Sequence, residues 1–377
     1  DTDRSRGLGD VYKRQIFITL LVLSVMQMTA QDTSIKGTIT LSHQGKTTDF
    51  AYNQMANVME AAVDGDTIYL SIGYFEGDFV IDKKVSFIGS GADTDNGRKN
   101  CTYYGSNNNK IIVKLPENTK LSARLFEGIY FGDISFTYQT SIENVVFKKC
   151  RVNGYNISTE AVIKSILFDR CYIHVDNFYT DNVKKAISRN CQIYGLNIWS
   201  SDGNDENNWQ FINCTIDPSN YSYNDENGNY HNYCPIYRGS FVNCIIDNDE
   251  NRDGIRNAGW LYNPSNTETK SSASFTNCLF YKPLEGREIF NGATVQNDMY
   301  FDASNLNDHQ NNSIWGFSKE ELLENNFLGN DGTVVGCYGG KNPYSLKQIQ
   351  TTITSSKVHF DKDKKQIQIK LKVSSEL

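Results

Sequence analysis

The order of apolar and polar positions repeats along this chain. FINCTI at 211–216, FVNCII at 241–246 and FTNCLF at 275–280 carry an aromatic residue, an asparagine and a cysteine in fixed order, at intervals of 30 and 34 residues. Looser copies lie upstream: FKKCRV at 147–152, FDRCYI at 168–173 and SRNCQI at 188–193. Their cysteines, Cys150, Cys171, Cys191, Cys214, Cys244 and Cys278, begin with spacings of 21, 20 and 23 residues. A near-constant period with occasional insertions marks a stacked repeat architecture.

Strand parity refines the picture, because residues two apart share a face. Each cysteine and the residue two later form one inward pair: Cys150/Val152, Cys171/Ile173, Cys191/Ile193, Cys214/Ile216, Cys244/Ile246 and Cys278/Phe280. The residues five and three before the cysteine form another, as in Val145/Phe147, Ile166/Phe168, Ala186/Ser188 and Trp209/Phe211. The two pairs have opposite parity, so a corner separates them. The residue before the cysteine is Asn190, Asn213, Asn243 or Asn277 in the later copies. Asparagine tolerates the left-handed backbone that such a corner demands. Each copy therefore reads strand, bend, strand, and successive copies stack in parallel about 4.8 Å apart. Stacked asparagines are expected to bond one another along the axis. Leucine-rich repeats, propeller blades and an antiparallel sandwich fit neither this period nor the repeated corner. The expected fold is all-β, a right-handed parallel β-helix.

Upstream, Met55, Val58, Met59 and Ala62 fall on one helical face, Asp64-Gly65-Asp66 ends that helix, and strands TIYL, DFVI and VSFI follow. A helix followed by GDTIYL and VSFIGSG resembles the N-terminal cap and first coils of pectin-lyase-like β-helix proteins, and is similar to secreted members from gut Bacteroidota. The resemblance covers most of residues 35–340. It implies a fold and leaves the activity open, because this fold hosts lyases, hydrolases, esterases and adhesins. Near the end, Ile367, Ile369, Leu371 and Val373 alternate with polar residues. The stretch 346–377 is therefore expected to form a β-hairpin extension to a coil domain spanning 31–345.

The first 15 residues show no periodicity and resemble translated library-adapter sequence. IFITLLVLSVMQMTA (16–30) is apolar, too short to span a bilayer, and ends in small residues. It reads as a secretory signal, so the protein is expected to be exported. Residues 1–30 hold four basic and three acidic residues, so the remainder carries −8 against −7 for the whole. Such a chain has no electrostatic reason to seek nucleic acid or an anionic membrane. A monomer is expected. The chain has nine cysteines. Side chains in register on parallel coils lie farther apart than disulfide geometry prefers, so the ladder cysteines are expected to be free, small, buried hydrophobes. Cys101, Cys234 and Cys337 lie off that ladder.

Candidate chemistry lies in the insertions 200–208, 220–234 and 247–266, which leave neighbouring coils. Trp199, Tyr221, Tyr223, Tyr230, Tyr233, Trp260 and Tyr262 stand among carboxylates and amides there. Planar rings beside hydrogen-bonding acceptors suit a sugar, whose faces are apolar and whose rim is polar. A polysaccharide or glycoprotein glycan is the expected partner. Asp247, Asp249 and Asp253 offer hard oxygen ligands for Ca²⁺, though without regular D-x-D-x-D-G spacing. The NTD, DD, GHG and RIK motifs of polygalacturonases are absent, as are the WxDH and RxPxxR segments of pectate lyases. The expectation is therefore non-catalytic binding. The alternatives are a polysaccharide lyase or glycoside hydrolase of another family acting on an acidic polysaccharide, or a structural adhesin or spacer. If the chain is a lyase, Arg238, Arg252 and Arg256 are the candidate bases. His231 is the lone histidine among the insertions.

Overall fold

The computed structural model describes residues 35–93, 100–105, 110–121, 125–132, 135–153, 156–159, 162–174, 183–196, 198, 208–218, 221–224, 230–233, 236, 238–252, 255–258, 272–282, 289–290, 292–302, 314–347, 351–361 and 366–375. The predicted leader and the residues before it lie outside this set. No helix among the described residues is long and apolar enough to cross a membrane.

Ten parallel rungs stack into a first sheet, from strand Thr67–Leu70 to strand Thr294–Gln296. The second sheet holds their ten partners, from Gly73–Phe75 to Met299–Phe301. A third sheet of four strands runs from Phe79–Ile81 to Asn156–Thr159. Consecutive strands fall in different sheets, and equivalent strands pair in parallel one coil apart, as in Phe147↔Phe168 and Val152↔Ile173. That is a parallel β-helix. At its beginning the antiparallel strands Thr38–His43 and Lys46–Ala51 extend the first sheet. The short helix Met55–Ala61 buries Met55, Val58 and Met59 into the core, as its periodicity predicts. Near the end, Thr351–Asp361 and Gln366–Ser375 form the predicted hairpin.

The columns of the core follow the parity of the sequence. Phe87, Phe126, Phe147, Phe168, Ser188, Phe211, Phe241 and Phe275 occupy one register position, all buried. Their rings stack, with centroids 4.7 Å apart for Phe211–Phe241 and 4.9 Å for Phe241–Phe275. The small Ala186/Ser188 pair lies on the rung beside the bulky Trp209/Phe211 pair, so volume is shared between neighbouring coils. The six ladder cysteines are free and fully buried, and Cys101 and Cys337 are free and buried as well. Each thiol from Cys171 to Cys278 points at a main-chain carbonyl of the preceding rung, for example Cys244 Sγ to Phe211 O at 3.4 Å. Burial raises the thiol pKa of Cys171, Cys191, Cys214 and Cys244 well above the ordinary value. These groups are packing units, not nucleophiles.

Every corner has the left-handed backbone the sequence predicts. φ is 51° at Asn190, 49° at Asn213, 53° at Asn243 and 52° at Asn277. Lys149 and Arg170 adopt it too, without the asparagine advantage. The expected bonding of asparagine to asparagine along the axis gives way to a different arrangement. Residues 328–347 return across the corners as a strap, and Asn190 and Asn243 bond to it. Asn190 Nδ2 donates to the carbonyls of Cys337 at 3.1 Å and Gly339 at 2.7 Å. Asn243 exchanges two bonds with Asn330, and its carbonyl accepts from Gly336 N at 2.8 Å. These bonds satisfy both the corner amides and the strap carbonyls. At Gly340, with φ 69°, a Cβ would lie 2.2 Å from Asn213 Nδ2, so glycine lets the strap approach this closely.

A seventh copy, TVQNDMYF at 294–301, has its corner at Asn297 (φ 52°) and carries Asp298 where the others carry cysteine. Asp298 Oδ1 accepts from Cys278 N at 2.7 Å, while burial pushes its carboxyl pKa up to about 6. Because the folded value lies above the unfolded one, the folded state binds the extra proton between about pH 4 and 6. Stability is therefore expected to fall as pH rises through that window. Asp298→Asn should flatten this part of the urea-denaturation profile and raise stability at pH 7. An unchanged pH profile in the variant would refute the assignment.

Candidate functional site

On the second sheet Val152, Ile173, Ile193 and Ile216 face the core. Their neighbours in sequence therefore face outward, in two columns. The first column is aromatic and cationic. Tyr74, Tyr103 and Tyr130 follow one another with centroids 5.9 and 4.9 Å apart. The Arg151 guanidinium then sits 5.2 Å from the Tyr130 ring and 4.1 Å from that of Tyr172. Burial raises the Tyr172 hydroxyl pKa, and Arg151 opposes that shift. Leu346 and Tyr344 of the strap pack on this column beside Ala92 and Cys101.

The second outward column comes from the residue three after each ladder cysteine: Asn153, His174, Tyr194, Asp217, Asp247 and Tyr281. Here the His174 and Tyr194 rings reach solvent, whereas Tyr281 is buried. Tyr194 is 43 % exposed, and its ring meets His174 edge-on at 4.8 Å. Trp315 completes the row, 6.3 Å from Tyr194 at 73°. It is delivered by the 3₁₀ turn Ile314–Gly316, which is pinned at three points. Ile314 is fully buried, its N–H donates to Tyr281 Oη at 2.9 Å, and Trp315 N donates to Asp247 Oδ2 at 3.2 Å. The result is a row of three half-exposed rings, with Asn153 beside His174 in register and Asp217 beside Tyr194. Edge-to-face rings on rigid strands offer an apolar platform, and the amide and carboxylate at its margin supply polar contacts.

The insertions start where this column ends, after Leu196, Pro218 and Asn248. Trp199, Asp253, Trp260 and Tyr262 lie outside the described residues, as does Cys234. Tyr221–Asn224 and Tyr230–Tyr233 form an antiparallel hairpin that pairs Tyr221 with Tyr233 and Tyr223 with His231. By parity these four positions share one face and Tyr230 lies on the other. Asp249–Arg252 and Ile255–Ala258 form a second hairpin, with Arg252 opposite Ile255 and Arg256 opposite Asn251. Arg238 is half-buried, next to the corner glycine Gly239. Of the three proposed calcium ligands, Asp247 is 7 % exposed and holds the Trp315 amide, and Asp249 begins the second hairpin. Among the described residues no three His, Cys, Asp or Glu side chains gather as metal ligands do.

Tyr194, His174, Asp217 and Trp315 are absent from the sequence-based set of candidates. The first three could have been found from the outward parity of the position three after cysteine. Trp315 could not, because it arrives from a turn about 70 residues beyond the strands it meets. No protein-family model matches the chain, and no match is found among curated proteins or solved structures.

Proposed function

We propose that this chain is an exported β-helix protein of the right-handed, pectin-lyase-like kind. In this reading it binds glycans without cleaving them, through the His174–Tyr194–Trp315 row and the insertions that start beside it. The observation that carries this reading is the row itself: large rings held open to solvent by a turn anchored on Tyr281 and Asp247. A soluble spacer has no need to anchor a half-exposed tryptophan so firmly. Catalysis receives less support, since the catalytic motifs of polygalacturonases and pectate lyases are absent from the sequence.

The test is pull-down and calorimetry of the chain on a panel of plant and host polysaccharides, with and without EDTA. Reducing ends and the absorbance of unsaturated uronides are followed in parallel. Binding without product is expected. Trp315→Ala and the more exposed Tyr194→Ala should each weaken binding about 10-fold or more, a common cost of losing a buried aromatic contact. Release of either product would overturn the non-catalytic reading. Loss of binding in EDTA would instead place a cation among the insertions, with Asp249 and Asp253 as its first ligands to mutate.

A further inference from the structure

The outer face of the first sheet has a different chemistry from the site above. Val146, Leu167 and Ile187 stack in register on three adjacent rungs, half-exposed, as an aliphatic stripe about 10 Å long. The stripe is the floor of a groove of ≈ 650 Å³ that Lys164, Lys185, Asn144 and Ser165 also line. One rim carries Lys120, Lys164, Lys184 and Lys185, with Glu143 as the carboxylate among them, 3.2 Å from Lys120. The other rim is the register column Glu127, Lys148, Asp169, Arg189, with Lys149 and Arg170 at the corners beside it. Glu127 pairs with Lys148 at 3.0 Å and Asp169 with Arg170 at 2.9 Å. Among the described residues of these rims, eight cations stand beside three carboxylates, with the Lys149 ammonium held by the strap carbonyl of Lys347 at 3.0 Å, on a chain whose net charge is −7. The crowding has a measurable sign: the Lys149 ammonium pKa is lowered, first by burial and then by the charges of Arg170 and Lys148.

We propose that this groove binds a linear polyanionic glycan, a chain bearing sulfate or carboxylate groups. The polymer lies along the Val146–Leu167–Ile187 stripe, with its charges reaching the two basic rims. Three features select that class. Across the strand Lys185–Arg189 the rims stand four residues apart, roughly 13 Å, wide enough for a polymer with charges projecting to both sides. Each of these rungs brings at least one cation to one rim or the other, about 4.8 Å apart along the axis, which suits a repeating anion better than a single phosphate. The floor is aliphatic and carries no ring on which a nucleobase could stack, so a nucleic acid would find only its backbone recognised. This site is separate from the aromatic row, which lies on the other sheet and needs no charge on its ligand.

The experiment titrates the intact chain with heparin, polygalacturonate and a DNA duplex by calorimetry across a salt series. Heparin and polygalacturonate report sulfate and carboxylate as the source of charge. Binding to at least one of them is expected, weakening steeply with salt as counterions are released. Lys164 and Lys185 are both exposed, so the double substitution Lys164→Glu/Lys185→Glu should fold normally. It should lower glycan affinity at least 10-fold and flatten the salt dependence. The control Lys46→Glu, at an exposed lysine of the N-terminal hairpin, should leave this binding unchanged, which ties the loss to the groove. Undiminished binding by the charge-reversed chain would overturn the proposal. So would DNA binding as tight as that of the glycans, or no binding of either glycan at low salt.

Discussion

Phe241→Ala is expected to destabilise the protein by about 3–5 kcal/mol, the cost of deleting a large side chain from a site that cannot collapse. Phe241 is fully buried and lies between two parallel rings, Phe211 at 4° and Phe275 at 21°. Its loss removes two stacking contacts and leaves a void bounded by backbone ladders on both sides. Those ladders cannot close in, because Phe211↔Phe241 and Phe241↔Phe275 are also main-chain partners at fixed spacing. Phe241→Leu refills part of the volume and should cost less than half as much. Urea denaturation of the three proteins at one pH measures both differences. A cost below about 1 kcal/mol for the alanine variant would mean that neighbouring coils relax independently. The ring column would then not be what aligns them.

The strand-bend-strand unit, the inward columns, the first helix and the terminal hairpin are legible in the sequence. Each rests on a short-range periodicity that alternation of faces makes visible. The strap at 328–347 is not. It has no apolar period, and it docks through carbonyls, close glycines such as Gly336 and Gly340, and scattered apolar residues such as Val335 and Leu346 that form no repeat. The seventh corner escapes a search for cysteine because Asp298 replaces it, although Asn297 keeps the corner itself. NRDGIR reads equally as a set of cation ligands and as a hairpin connection. Pairing of Arg252 with Ile255 across Asp253-Gly254 favours the second, and Asp-Gly is a standard two-residue hairpin signal. The aromatic row was half-legible. Parity alone turns His174 and Tyr194 outward, whereas their meeting with Trp315 depends on a tertiary contact that no local pattern encodes.

Asn190 separates the two roles of the corner, and the contrast between Asn190→Ala and Asn190→Gly should show both. The side chain donates two hydrogen bonds to strap carbonyls, and the backbone holds φ 51°. Alanine forfeits the bonds and meets the left-handed penalty of about 1–2 kcal/mol. With buried carbonyls left short of a donor at about 1–3 kcal/mol, its total cost is expected near 3–4 kcal/mol. Glycine accepts the backbone and loses only the bonds, plus a smaller entropic cost in the unfolded chain, so about 2 kcal/mol is expected. The gap between the variants reports the corner, and the gap between glycine and wild type reports the strap. A second readout distinguishes global from local loosening. Cys337 belongs to the strap and is fully buried, with its thiol pKa pushed up to about 12 by burial and its N–H on Thr215 Oγ1 at 3.1 Å. If Asn190 holds the strap down, alkylation of Cys337 in native buffer should quicken in both variants, while the ladder cysteines stay protected. Unchanged Cys337 reactivity in the glycine variant would show that Asn243 and the close glycine contacts hold the strap without Asn190.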